Sequence, residues 1–224
     1  MGDHVVTMSE FSDSARAESG GAPARSGHGS HDVREFFGQR ARCWDDRFPD
    51  DGPAYAAGVA ELGLRAGDRV LDAGCGTGRA LPALRTAVGA SGVVFGADLT
   101  PEMLEAAVRA GRDAAAALLH ADVSALPFRD AALDAIFAAG LISHLADPER
   151  DLAELARVVR PGGRLALFHP VGRAALAARK GRPLTPDDLR AEPNLRPLLA
   201  GSGWDLIRYV DEDARYLALA VRQG

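Results

Sequence analysis

The chain has few cysteines, a single lysine and no long apolar run, and each of these scarcities excludes a class of protein. Two cysteines among 224 residues, Cys43 and Cys75, cannot form the disulfide framework of a small secreted domain. No apolar stretch approaches the roughly 20 residues that span a bilayer, and no charged-then-apolar leader opens the sequence. Potential metal ligands do not cluster at metal-binding spacing. We therefore expect neither a membrane partner nor a metal.

The chain also carries no excess of positive charge. The formal net charge is −5, with acidic and basic residues interspersed, so we expect no nucleic-acid partner. Lys180 stands alone against many arginines and alanines, a composition typical of a GC-rich bacterial gene and, we expect, of a cytoplasmic protein. The hydrophobic fraction, 47% of 224 residues, suffices for one substantial core. Nothing in the residues specifies an oligomeric state.

The pattern along the chain predicts three parts. Residues 1–30 are rich in Ser, Gly, Ala and Asp without periodicity, which indicates a disordered tail. In residues 31–66, Phe36, Phe37 and Trp44 recur at helical spacing. This N-terminal helical segment either covers a site as a lid or packs on the sheet through its apolar face. Residues 67–224 form the third part, an α/β domain.

Within residues 67–224, apolar strands alternate with helical segments through short links. This order predicts a doubly wound, seven-stranded and mostly parallel sheet of the Rossmann-like kind. The last two strands, around 204–210 and 215–221, flank Glu212-Asp213 and indicate a C-terminal antiparallel hairpin. In such a sheet the ligand binds at the carboxyl ends of the strands.

The most informative segment is Val70-Leu-Asp-Ala-Gly-Cys-Gly-Thr-Gly78, an apolar strand with an acid at its end and three alternate glycines behind it. Without a Cβ, such a turn lets unpaired N–H groups at a helix start approach a ligand closely. A P-loop is excluded because Arg79-Ala80 follows the last glycine instead of Lys-Ser/Thr. A dinucleotide loop is disfavoured but stays open, since Arg79 occupies the place of its third small residue.

Further motifs follow at fixed distances. Val93-Val-Phe-Gly-Ala-Asp98 predicts a second buried strand ending in an acid, about twenty residues after the glycines. Asp122-Val-Ser-Ala-Leu-Pro-Phe128 comes next, and Pro161-Gly-Gly163 forms a turn before the fifth strand. This series resembles the class I S-adenosylmethionine-dependent methyltransferases, in their methyltransferase-11 branch, strongly over residues 68–170. The resemblance implies S-adenosyl-L-methionine as cofactor and S-adenosyl-L-homocysteine as product.

The resemblance also implies where the methyl donor binds. Gly74 and Gly76 would flank its amino-acid portion, Asp72 would order its ammonium end, and Asp98 would accept from the ribose hydroxyls. The remaining implied donor contacts, around the adenine, the methionine end and the aromatic helix, are Leu99, Met103, Asp122, Val123, Ala139 and Trp44. Alternatively, Asp98 and Asp122 cap the helices that follow them, and Leu99 and Met103 belong to the hydrophobic core.

Methyl transfer is an in-line displacement in which the sulfonium charge disappears, so alignment matters more than stabilising a new ion. The resembling family places the loop after the fourth strand opposite the donor's methyl group, which makes His144 the first candidate for a general base. His169, at the tip of the fifth strand, is the second candidate, and a mechanism without a protein base is the third. The basic residues of 173–190 are typical of a solvated face more than of an acidic-substrate site.

Two absences narrow the class of acceptor: one is the lack of metal-ligand spacing, which leaves a metal-assisted catechol-type reaction without support, and the other is a missing motif. The Asn/Asp-Pro-Pro-aromatic signature of nucleic-acid amino methyltransferases is replaced by Ala138-Ala-Gly-Leu141. We therefore expect a small organic acceptor, methylated on oxygen, nitrogen or carbon. The alternatives are a non-catalytic or repurposed S-adenosylmethionine-binding protein and, after it, an NAD-dependent oxidoreductase.

Overall fold

The structure is a computed structural model that describes residues 30–47 and 51–224. The tail expected over residues 1–30 therefore lies, except for Ser30, outside the described residues. Seven α-helices occupy the described ranges: α1 Ser30–Gly38, α2 Gly52–Glu61, α3 Leu81–Val88, α4 Pro101–Arg109, α5 Pro148–Val158, α6 Arg173–Arg179 and α7 Glu192–Gly201. Short 3-10 turns lie at Ala41–Cys43, Asp45–Arg47, Arg112–Ala115 and Leu141–His144.

The sheet confirms the predicted architecture. Its seven strands are β1 Arg69–Ala73, β2 Val93–Asp98, β3 Ala117–His120, β4 Leu133–Ala139, β5 Val159–His169, β6 Trp204–Glu212 and β7 Arg215–Arg222. They lie in the order β3-β2-β1-β4-β5-β7-β6. The first five are parallel, whereas β7 runs antiparallel to both β5 and β6. The closing hairpin thus inserts its second strand into the sheet.

Apolar side chains that point alternately to the two faces of the strands form two hydrophobic cores, one on each face of the sheet. In β4, Ile136 joins the cluster that includes Leu152 of α5, whereas Phe137 joins the cluster that includes Leu84 of α3. Successive side chains of a strand point to opposite faces, so a single apolar strand feeds both cores. Helices on both faces of a parallel sheet follow directly from this pattern.

The fifth strand begins earlier than the sequence indicated. Pro161-Gly-Gly163 was expected as a turn before it, but β5 already starts at Val159. Its pairing with β4 shifts register between Leu133 and Ala135, and Gly162 takes a φ of 73°. The proline and glycines therefore form an irregular start of the strand rather than a separate turn, which glycine permits because it tolerates positive φ.

Strand order reverses direction at β1, which has β2 on one side and β4 on the other. In open parallel sheets, such a switch point opens a crevice beyond the carboxyl ends of the strands. The ends of β1, β2, β4 and β5 carry the residues that the sequence singled out. The fold therefore brings those residues to one edge of the sheet.

Candidate functional site

The glycine turn after β1 lies at this edge and is shaped by backbone that L-residues rarely adopt. Gly74, Gly76 and Gly78 have φ values of 68°, 54° and 80°. A Cβ built on Gly78 would come within 2.8 Å of the Leu81 side chain, whereas one built on Gly76 would meet nothing within 4 Å. The third glycine thus serves packing, and the second leaves open space at the turn, as a cradle for a ligand requires.

Asp98 ends β2 and holds the turn in place. Its Oδ2 accepts from the Gly76 N–H at 2.8 Å and its Oδ1 from the Thr100 N–H at 2.8 Å. Burial raises the pKa of this carboxyl, and the two backbone hydrogen bonds oppose that rise. Because a carboxylate offers about four lone pairs, these donors leave capacity for two further hydroxyls. Asp98 therefore caps the next turn and can also accept from a ligand.

Asp72, at the end of β1, is the most unusual polar group of the site. It is 2% exposed, and its Oδ1 is buried without a hydrogen-bond partner among the described residues. Burial, reinforced by the charge of Asp98, raises the pKa of Asp72 to about 8. Burying a carboxylate without a partner costs free energy. A cation or a hydrogen-bond donor that binds beside Asp72 would therefore stabilise this site.

The raised pKa of Asp72 predicts a pH dependence of folding stability. In the unfolded chain Asp72 has the ordinary pKa of 3.8, so the folded state holds an extra proton between about pH 4 and pH 8, and stability falls as pH rises through that window. We expect Asp72→Asn to unfold at the same denaturant concentration as wild type near pH 4, and to be more stable by about 2–5 kcal/mol at pH 8.5. Urea denaturation of both proteins across this range measures the difference. A parallel pH dependence in the two proteins would contradict the assignment.

The adenine-side residues lie where β2 and β3 end side by side. Met103 of α4 is buried at 2% exposure, and Leu99 is half-buried with its carbonyl 3.0 Å from His120 Nε2. Asp122 Oδ1 accepts from the Ser124 N–H at 2.9 Å and so shapes its own turn. The adjacent Val123 is half-buried against the core. Contact of these residues with adenine stays a prediction.

The end of β4 lies beside the end of β5. Ala139 is half-buried, and the N–H of the next residue, Gly140, donates to the Phe168 carbonyl at 2.8 Å. A 3-10 turn follows and ends at His144. The two strand ends therefore bring His144 and His169 to the same side of the crevice.

The aromatic N-terminal segment contacts this loop. The Phe37 ring makes edge-to-face contacts with Phe36 at 5.1 Å, Trp44 at 5.5 Å and His144 at 5.0 Å between centroids. All four side chains are only partly buried. The helix therefore lies against the first candidate base, with aromatic surface left open beside it.

A polar network that the sequence did not predict ties this segment to the glycine turn. Asp45 accepts from Thr77 Oγ1 at 2.7 Å and pairs with Arg112 at 2.6 Å, and Arg112 also donates to the Thr77 carbonyl at 2.7 Å. Arg79 pairs with Asp51 at 3.0 Å, and its side chain is 9% exposed. Partners 28 to 67 residues apart leave no local signal in the sequence.

Tyr55 of α2 is a second residue that sequence reasoning missed. Its ring lies 5.5 Å from Phe168 and 6.4 Å from Phe137, and the Arg79 guanidinium lies 5.7 Å from its centroid. Burial raises the pKa of its hydroxyl, and the charge of Asp72 raises it further. Tyr55 therefore lies beside Asp72, at the end of the crevice where the methionine portion of the donor is expected.

Both candidate bases are neutral imidazoles at pH 7. Burial, together with the smaller effects of the charges of Lys180 and Arg190, lowers the pKa of His144 to about 4. The pKa of His169 is also lowered to about 4, chiefly by burial. Its Nδ1 lies 2.8 Å from the Val171 carbonyl and 3.1 Å from the Val171 nitrogen, which leaves Nε2 for other partners. Neither nitrogen of His144 has a hydrogen-bond partner among the described residues.

Comparisons with known proteins identify the family. The profile of the family described as "Methyltransferase domain" matches residues 71–167. The O-methyltransferase rstn1 of Aspergillus nomiae is 31% identical over 184 residues, which are 75% of this chain and 80% of that protein. A crystal structure of a SAM-dependent methyltransferase from Aquifex aeolicus superposes with a TM-score of 0.62 at 27% identity, over 75% of this chain and 89% of that one. The chain therefore belongs to the class I S-adenosylmethionine-dependent methyltransferases.

Other relatives share only part of their length with this chain. The 27-O-demethylrifamycin SV methyltransferase of Amycolatopsis mediterranei is 40% identical over 110 residues, 47% of this chain and 40% of that enzyme. This chain covers only 32–60% of the length of several curated relatives. No helix among the described residues is long and apolar enough to cross a bilayer.

S-adenosylmethionine, the cofactor of this family, fits the residues present. The buried, unpartnered oxygen of Asp72 suits a cationic ligand end, and the open space at Gly76 admits a ligand next to the backbone. Asp98 retains acceptor capacity for a diol. Among residues 30–47 and 51–224, no group of three or more His, Cys, Asp and Glu side chains is placed to hold a metal ion.

Proposed function

We propose that this chain transfers a methyl group from S-adenosylmethionine to an oxygen, nitrogen or carbon atom of a small organic acceptor. The observation that carries the proposal is the buried Asp72 carboxyl group, whose Oδ1 has no hydrogen-bond partner among the described residues, next to an open glycine turn and a second acid, Asp98. The family supplies the donor, and the names of relatives such as the rifamycin methyltransferase support a small-molecule acceptor. The arginine-rich composition supports a bacterial, cytoplasmic protein.

In this proposal residues 31–66 form a lid over residues 67–224. The contact of Phe37 with His144 and the pairing of Asp45 with Arg112 support it. A lid that excludes water is suited to a displacement in which alignment contributes roughly 7–11 kcal/mol. Trp44 and the turn at Gly74–Gly76 would enclose the donor from opposite sides.

Bound S-adenosylmethionine supplies an electrophilic methyl carbon on a sulfonium sulfur. Asp72, whose raised pKa keeps it protonated in the free protein at pH 7, would release that proton and bind the ammonium end as a carboxylate, because a nearby cation favours the ionised form. Asp98 would bind the ribose hydroxyls. The acceptor atom would lose its proton to a ring nitrogen of His144, which is neutral at pH 7 and so able to take it. His169, at the end of the neighbouring strand β5, is the second candidate.

The discriminating measurement is calorimetric titration with S-adenosylhomocysteine and with NAD. We expect a micromolar Kd for S-adenosylhomocysteine and at least a hundredfold weaker binding of NAD, which is about 2.7 kcal/mol. Arg79 occupies the position at which a dinucleotide loop needs a small residue, and its pairing with Asp51 holds it there. Comparable NAD affinity would instead favour the oxidoreductase.

The alternative, a protein that binds S-adenosylmethionine without transferring its methyl group, requires a different measurement, because donor binding and methyl transfer are separable. Incubation with S-adenosylmethionine and a panel of phenols, amines and carboxylic acids should yield S-adenosylhomocysteine above the no-acceptor rate. A protein that binds the donor and turns over none of these acceptors would favour the binder.

A further inference from the structure

Residues 30–47, which we call the strap, cross the crevice at the end of β1. Phe37 lies against His144, which follows β4, with 5.0 Å between the ring centroids. The next residue, Gly38, lies beside Glu102 in the first turn of α4, which follows β2, because a Cβ built on Gly38 would come within 3.3 Å of the Glu102 carboxylate. Since β1 lies between β2 and β4, two adjacent residues of the strap contact loops on both sides of it. The strap therefore spans the switch point of the sheet.

Asp45 attaches the strap to the glycine turn. Its Oδ1 accepts from the Thr77 hydroxyl at 2.7 Å, and its Oδ2 pairs with Arg112 at 2.6 Å. Arg112 also donates to the Thr77 carbonyl at 2.7 Å, so the three residues form a closed ring of hydrogen bonds, which we call the clasp. Each of these bonds involves a charged group and is therefore stronger than a bond between neutral groups.

The clasp holds the part of the turn that a ligand can approach. Thr77 is 2% exposed, and the clasp satisfies both its hydroxyl and its carbonyl. Its neighbour Gly76 borders the open space of the turn, and the Gly76 N–H donates to Asp98. Asp45 and Asp98 thus fix adjacent residues of the turn, one from the strap and the other from β2. A change at Asp45 can reach the donor cradle through Thr77.

The clasp also fixes the aromatic part of the strap. Trp44 immediately precedes Asp45, and its ring lies 5.5 Å from that of Phe37. Ala41, between them, is buried, and the 3-10 turn that it begins packs against α4. The strap thus lies on the α/β domain from Phe37 to Asp45. A ligand beneath it could enter or leave only if these contacts open.

We propose that Asp45 is a positioning residue that gates the donor site: S-adenosylmethionine enters when the clasp is broken, and the re-formed clasp holds the strap over the bound donor. The inference rests on the proposed function, because it concerns the exchange of donor and product at that same site. The side chains of Asp45 and Arg112 are 36% and 22% exposed. Water can therefore solvate both groups when the clasp opens, which makes opening less costly than for a fully buried ion pair.

The dissociation rate of S-adenosylhomocysteine, measured by surface plasmon resonance on the full-length protein, tests the gate. Thr77→Val removes the hydroxyl with little change of shape, and we expect it to raise the dissociation rate about tenfold or more. Thr77→Ser keeps the hydroxyl and should retain the wild-type rate. Asp45→Ala should raise the rate at least as much as Thr77→Val.

Asp46→Ala is the matched control for Asp45→Ala. It removes an exposed carboxylate from the same 3-10 turn, and this carboxylate has no hydrogen bond or ion pair within the part of the chain that the structure describes. Dissociation should therefore stay at the wild-type rate.

A double variant separates the clasp from a general structural defect. If Asp45 acts through Thr77, Asp45→Ala combined with Thr77→Val should release S-adenosylhomocysteine little faster than the faster single variant. Independent effects would instead multiply, because the free-energy changes of uncoupled sites add.

Tryptophan fluorescence follows the strap itself. The chain has two tryptophans, Trp44 on the strap and Trp204, which is fully buried and so protected from acrylamide. Since donor binding and strap closure favour each other, S-adenosylhomocysteine should reduce acrylamide quenching of Trp44 in the wild-type protein, and less so in Asp45→Ala. Trp44→Phe should abolish the quenchable signal.

Three results would each overturn the inference: a wild-type dissociation rate in Thr77→Val, multiplying effects in the double variant, or quenching of Trp44 that S-adenosylhomocysteine leaves unchanged. Failure of the wild-type protein to bind S-adenosylhomocysteine would instead overturn the proposed function.

Discussion

Asp98→Ala should weaken S-adenosylhomocysteine binding at least a hundredfold. The substitution removes a charge-assisted acceptor for two ribose hydroxyls, and each such bond contributes about 1.5–3 kcal/mol. It also leaves the Gly76 and Thr100 N–H groups without the acceptor that positions the glycine turn. Since about 1.4 kcal/mol is a tenfold change in affinity, the two losses together exceed a hundredfold. Calorimetric titration of the folded variant measures the effect.

Two variants make this result specific. Asp98→Asn keeps one neutral acceptor oxygen for the turn and should lose less affinity than the alanine variant. Asp130→Ala removes an exposed carboxylate that pairs with Arg157, and donor affinity should stay unchanged. A folded Asp98→Ala protein with wild-type affinity would show that the donor binds elsewhere.

His144→Gln should lower kcat by about 10²-fold or more while donor affinity stays within twofold, because general-base catalysis contributes about 10²–10⁴. Its pKa of about 4 in the free protein also sets a pH dependence. The imidazole accepts a proton only above that pKa, so kcat/KM should fall below about pH 4 rather than below pH 6.5. The measurement uses an acceptor from the panel described above.

His169→Gln is the competing variant. Its Nδ1 faces Val171, so glutamine removes a backbone contact as well as a base, and thermal stability must be measured beside kcat. A large loss of kcat in His169→Gln with an active His144→Gln would reverse the two roles. Near-wild-type turnover in both variants would favour a mechanism in which alignment alone accelerates transfer.

The fold could be predicted from patterns that are local in the sequence. The apolar strand, the three glycines and the helix after them are adjacent in sequence, and their backbone demands are local, so the turn at Gly74–Gly78 follows from these residues. The N-cap of α5 is local in the same sense, because Asp147 accepts from the N–H of Arg150, three residues further on. The predicted hairpin is confirmed for the same reason, since Glu212 pairs with Arg215 across a short turn.

Fewer features of the candidate site could be predicted from local patterns in the sequence. The positions of Asp72 and Asp98 at strand ends followed from the strand pattern, but the unpartnered oxygen of Asp72 depends on every element that buries it. Tyr55 carried no motif, and its place beside Asp72 results from the packing of α2 against β4 and β5. The lid contacts of Asp45 depend on residues far along the chain.

The sequence by itself determined the strand–helix order, the glycine turn and the two acids that face it, because each rests on periodicity or on backbone geometry within a few residues. Only the tertiary structure decided which charges meet. It brought Phe37 against His144, paired Arg79 with Asp51, and left Oδ1 of Asp72 without a hydrogen-bond partner among the described residues. Electrostatic energies depend on distance and burial, which arise when segments remote in sequence pack together.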